Sequence, residues 1–107
     1  MELKFGDIVL LQFPFTNTQS FKKRPALVIK DTNDGDIIVC RITSKIYTTF
    51  YDIEFFNWKE YGLKLPSVVR IHKIASLEFQ LIESKIGHVN SDVQQIITKS
   101  LIALFKN

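Results

Sequence analysis

"KKRPALVIKDTNDGDIIVCRITS", residues 22–44, decides the fold. Two apolar runs, "PALVIK" (25–30) and "IIVCRIT" (37–43), flank a polar tract, "DTNDGD" (31–36), that carries Asp34-Gly35. An Asp-Gly step accepts the left-handed backbone of a tight hairpin. The stretch therefore predicts two antiparallel, buried strands. Pro25 has no backbone N–H and suits the first residue of a strand. It also drives Arg24 into an extended conformation. A guanidinium is thus expected at the strand's mouth, behind Lys22 and Lys23.

Outward from the hairpin, "GDIVLLQF" (6–13) predicts a first strand entered from a Gly-Asp turn. The polar run "PFTNTQSFKKR" (14–24) reads as a long loop. "TTFYDIEF" (48–55) alternates, with Tyr51, Ile53 and Phe55 on one face and Asp52 and Glu54 on a wet one. "NWKEYGLKLPS" (57–67) is a connection punctuated by Gly62 and Pro66. "SVVRIHKI" (67–74) predicts another strand, with Val68, Arg70 and His72 sharing a face. In "NSDVQQIITKSLIALF" (90–105), Val93, Ile96, Ile97, Leu101 and Leu104 recur at helical spacing, and Ser91 with Gln94 fits a capping box. His88, after Gly87, falls in a turn-like stretch and reads as structural. The plan is mainly β, five or so strands closed by one C-terminal helix, curled into a small barrel or half-barrel.

The chain has 107 residues, enough for a single domain spanning 1–107, and 46% of them are apolar. Its net charge of +3 hints at a polyanionic partner. A lone cysteine, Cys40, lies in an apolar run, so no disulfide forms within the chain and a reducing cytoplasm is the expected setting. The N-terminus carries Glu2 and Asp7 among short apolar runs and reads as neither a signal peptide nor a membrane span.

The blocks "GDIVLLQFPFT", "KKRPALVI", "RITS" and "SVVRIHKI", then an amphipathic terminal helix, stand in the order of the PemK/MazF family. The chain resembles these toxins of type II toxin–antitoxin systems over nearly its whole length. The resemblance implies a compact SH3-like β-barrel with helices, a homodimer, and a cognate antitoxin that blocks the site with a segment folding on binding. It also implies a metal-independent endoribonuclease that cuts single-stranded RNA at short sequences, inhibiting translation and growth, with no cofactor. It sets Arg24 on the family's catalytic arginine, Thr43 and Ser44 on a "TS" pair at a strand end that contacts the scissile phosphate, and Arg70 on an arginine that some members carry. Two residues after that arginine the family has an Asp; this chain has His72.

The residues themselves suit such chemistry. Neither His72 nor His88 stands in metal-ligand spacing, so the cheapest nucleophile is the RNA's own 2′-OH. Arg24 and Arg70 can each meet two phosphate oxygens. Thr43 and Ser44 can donate to one. His72, with an ordinary pKa near ~6.5, can exchange a proton near neutrality. Lys22, Lys23 and Arg41 are expected to steer phosphates. Phe15, flanked by Phe13 and Phe21, is a candidate for base stacking, although anchoring of the loop is the plainer role. Two alternatives stay open: a same-fold toxin that binds a protein target such as DNA gyrase, and a member that binds RNA or antitoxin without cutting.

Overall fold

The computed structural model describes residues 1–14 and 21–106. Phe15 therefore lies outside the described residues. The elements are β1 (Asp7–Pro14), β2 (Phe21–Asp31), β3 (Asp36–Thr43), β4 (Asp52–Phe55), β5 (Ser67–Glu78), a 3-10 turn (Phe79–Leu81), β6 (Ile82–His88) and α1 (Ser91–Leu104). The strands form one antiparallel sheet in the order β4-β5-β3-β2-β1-β6. The mainly β architecture with a C-terminal helix is as the sequence predicts. The barrel is not closed: β4 and β6 are the two edges of the ordered sheet.

The β2–β3 hairpin turns where Asp34-Gly35 predicts. Asn33 and Gly35 both take positive φ, 59° and 95°. The Asp34 carboxylate accepts from the Thr32 hydroxyl at 2.6 Å and from the Asp36 amide at 3.2 Å, closing the turn. Strand β2, however, begins at Phe21, inside the expected loop, so Pro25 is not its first residue. Phe21 to Pro25 pair with β1 alone, and β3 joins the ladder only at Ala26, opposite Arg41. Pro25 is tolerated because it sits where the second ladder has not yet begun. Lys22, Lys23 and Arg24 thus project on a strand arm that outruns its hairpin partner.

Both faces of the central strands are buried. Ile8, Leu27, Cys40, Ile42, Val69 and Ile71 form one core with Phe55, Val89 and Ile97. Val9, Leu11, Ala26, Val28, Ile37 and Val39 form a second on the opposite face. Helix α1 covers the first core through Ile97, a side chain whose burial contributes about 1.5–3 kcal/mol. Ile96, predicted for the same stripe, is instead 50% exposed. The helix is capped one residue earlier than predicted: the Asn90 side chain, not Ser91, accepts from the Val93 amide at 2.9 Å.

Gln94 has a different task. Its amide nitrogen donates to the Val89 carbonyl at 2.9 Å and to His88 Nε2 at 3.0 Å. His88 Nδ1 in turn donates at 2.8 Å to Asp7, a fully buried carboxylate. His88 is structural, as expected, but it ends a strand rather than a turn. The sixth strand is not among those the sequence predicts. Its apolar positions, Ile82 and Ile86, are few, and the β1–β6 register shifts twice along the strand.

Strand β5 follows β3 along its length but not regularly. Arg41 pairs with Arg70 and Cys40 with Ile74, so the β3 ladder skips residues 71–73. Within β5 the alternation holds up to that point: Val69 and Ile71 both enter the first core, the face opposite the one predicted for Arg70 and His72.

Candidate nucleic-acid interface

The arm of β2 separates two grooves. The first, about 470 Å³, has an apolar floor from Leu10, Ile42, Leu63 and Ile86, with Lys22, Lys23, Arg24, Thr43, Ser44 and Lys64 along it. The second, about 550 Å³, runs over Leu11, Ala26, Val39, Ala75 and Leu77, with Arg24, Arg41 and Lys73 as its cations. Arg24 and Pro25 border both. The fold therefore brings Lys22, Lys23, Arg24, Thr43 and Ser44 together, and Arg41 joins Arg24 on the other side.

The charge balance along these grooves is uneven. Lys23 is paired with Glu83 at 2.8 Å. Among the described residues, Lys22, Arg24 and Arg41 form no salt bridge. Unneutralised cations of this kind are the footprint of a polyanion. The Thr43 hydroxyl oxygen accepts from the Lys45 amide at 3.2 Å, which leaves its proton free to donate.

Arg70 and His72 border neither groove. Arg70 is only 8% exposed, and its Nε donates to Asp52 at 2.9 Å. Asp52, placed on a wet face by its sequence, has a side chain 1% exposed. Alternation put it on the face opposite Phe55, but that face is covered at this point by Arg70. Burial raises the Asp52 pKa. The Thr49 hydroxyl, Arg70 and the Thr49 amide outweigh that and hold it below the ordinary carboxylate value.

His72 packs against Tyr51 with ring centroids 4.8 Å apart. Its Nδ1 is buried with no hydrogen-bond partner among the described residues. Burial, then Arg70 and Lys73, push its pKa below 6.5, against a smaller opposing pull from Asp52. The ring is therefore neutral near pH 7. The buried Cys40 thiol is pushed up to about 12 by desolvation and is chemically inert.

The wall at Gly62–Leu65 escaped the sequence reading. Gly62 and Gly87 were legible only as punctuation. The two segments touch backbone to backbone: a Cβ on Gly62 would lie 2.1 Å from the Ile86 carbonyl oxygen, and one on Gly87 2.0 Å from that of Tyr61. Among the described residues, no three His, Cys, Asp or Glu side chains gather as a metal site would need, and no helix is long and apolar enough to cross a membrane.

The fold recurs in solved structures. The Mycobacterium tuberculosis toxin MazF-mt6 is 17% identical, with a TM-score of 0.76 over 92% of this chain and 95% of that one. The MazE-MazF structure from Deinococcus radiodurans is 20% identical, with a TM-score of 0.78 over 95% of this chain and 94% of that one. A mycobacterial endoribonuclease in complex with its cognate antitoxin is 15% identical, with a TM-score of 0.71 over 95% and 93%. A search of curated protein sequences gives no match. The family model for the PemK-like, MazF-like toxins of type II toxin–antitoxin systems matches residues 4–105, and the chain belongs to that family.

Proposed function

We propose that the protein is an endoribonuclease toxin that cuts single-stranded RNA without a metal ion. The observation that carries this reading is Arg24: a cation with no carboxylate partner among the described residues, at the junction of two grooves, one of which Thr43 and Ser44 also line. An RNA strand running from one groove to the other would set a phosphate at that junction. The 2′-oxygen attacks phosphorus and the bond to the 5′-oxygen breaks. The products are a 2′,3′-cyclic phosphate and a 5′-OH end, and the net proton transfer is from the 2′-OH to the 5′-oxygen. Arg24, Thr43 and Ser44 stabilise the charge on the phosphorane. Lys22, Lys23 and Arg41 hold flanking phosphates. His72 borders neither groove, and we assign the 2′-OH proton to water in the open groove rather than to its half-buried ring.

Family membership supports an antitoxin partner, as in the complexes of the relatives. It also supports a homodimer and a cytoplasmic site of action, as the family resemblance implies. A light-scattering mass of one 12.4 kDa chain at micromolar concentration would contradict the dimer.

The functional test is incubation of the purified protein with a long single-stranded RNA in EDTA. Wild type is expected to cut, and Arg24→Ala to cut about 10²–10³-fold more slowly, the usual loss for one donor to a developing oxyanion. Intact RNA after prolonged incubation with wild type would overturn the reading, and RNA bound but uncut would leave a binding protein.

A further inference from the structure

Arg70 is the residue whose surroundings fit least well with a direct grip on phosphate. Its Nε is bonded to the buried carboxylate of Asp52. Its guanidinium carbon lies 3.6 Å from the centroid of the Tyr47 ring, and Lys45 Nζ approaches the same ring at 5.0 Å. Asp52 is itself held from the segment before β4: its other carboxylate oxygen accepts from the Thr49 amide at 3.0 Å and from the Thr49 hydroxyl at 2.6 Å. The Tyr51 carbonyl accepts from the Ile71 amide at 3.0 Å. Tyr47, Thr49 and Tyr51 thus all tie residues 44–51 down onto Arg70 and its strand. At the segment's other end, the Lys45 amide donates to Thr43 Oγ.

We infer that Arg70 is a positioning residue: clamped between Asp52 and the Tyr47 ring, it anchors the 44–51 segment and thereby sets where Thr43 and Ser44 stand in the groove. This rests on the reading of that groove as the RNA site. A guanidinium is the group for the task. It is flat enough to stack on an aromatic ring while its edge meets a carboxylate, which an ammonium cannot do. With its charge opposed by Asp52, it has little left to offer a phosphate. Displacement of a reacting group by an ångström can cost on the order of 10²-fold in rate, so a residue that never touches RNA can govern its cleavage.

The test uses Tyr47→Ala, Tyr47→Phe, Asp52→Asn and Arg70→Gln, with three readouts: cleavage of one RNA oligonucleotide, the salt dependence of RNA binding, and amide hydrogen exchange over residues 44–51 without RNA. Tyr47→Ala, Asp52→Asn and Arg70→Gln are expected to slow cleavage by on the order of 10²-fold, with faster exchange in the segment and an unchanged salt slope. Tyr47→Phe, which keeps the ring, restores both rate and protection. If Arg70→Gln does not fold, Tyr47→Ala and Asp52→Asn carry the test. Exchange needs no RNA, so unchanged protection in Tyr47→Ala overturns the anchor even if wild type cuts nothing. A salt slope reduced by about one in Arg70→Gln would mark a lost phosphate contact and overturn it too. So would wild-type cleavage by Tyr47→Ala or Asp52→Asn.

Discussion

Arg41 on β3 stands directly opposite Arg70 on β5, yet among the described residues only Arg70 of the two has a carboxylate partner. The two cations share one sheet face and divide the work. Arg70 is buried and spent on Asp52, whereas Arg41 is exposed at the edge of the second groove. Removing Arg41 should therefore cost binding and not folding. Arg41→Ala is predicted to weaken RNA binding and to lower the slope of log affinity against log salt by about one. Its melting temperature should not fall, because like charges across a ladder oppose each other by about 0.2–1 kcal/mol at most. An unchanged salt slope would remove Arg41 from the RNA path.

Gly87 fixes the far wall of the first groove. A methyl group there would sit 2.0 Å from the Tyr61 carbonyl oxygen and 2.5 Å from its carbon, and neither backbone atom can swing aside as a side chain end would. Gly87→Ala is predicted to destabilise the fold by about 1–3 kcal/mol, the usual cost of overpacking, and to shift residues 61–65. Urea unfolding reads the first effect. A midpoint unchanged from wild type would mean that the two segments do not touch.

His72 lies outside both grooves, and burial, Arg70 and Lys73 hold its pKa below 6.5. Its ring is neutral near pH 7 and out of reach of a phosphate at Arg24. His72→Ala is therefore predicted to keep the wild-type pH–rate profile and to slow cleavage far less than the about 10²–10⁴-fold that loss of a general base costs. A loss of that size, together with the loss of an inflection below 6.5, would set His72 at the reacting phosphate.

Much of the fold was legible because its signals are local. Asp34-Gly35 set the hairpin, the spacing from Val93 to Leu104 set the helix, and the apolar runs set the central strands. Strand β6 was not, because two register shifts against β1 break its alternation. The cluster of Lys22, Arg24, Thr43 and Ser44 was legible through the order of motifs, since β2 and β3 are neighbours in the sequence and in the sheet. The wall at Gly62–Leu65 and the Asp52–Arg70 pair were not. Both arise from packing between segments about 20 residues apart, and alternation alone put Asp52 in water.

The proposed reaction runs through the RNA's own 2′-oxygen at the phosphate beside Arg24. It is tested most directly by one oligonucleotide made in two forms, all-ribose and with a single 2′-deoxy nucleotide at the mapped cut, each incubated with the protein in EDTA and analysed by mass spectrometry. The ribose form is expected to yield a 2′,3′-cyclic phosphate and a 5′-OH end, and the deoxy form to stay whole. Cleavage of the deoxy form, or a 5′-phosphate on the product, would contradict it.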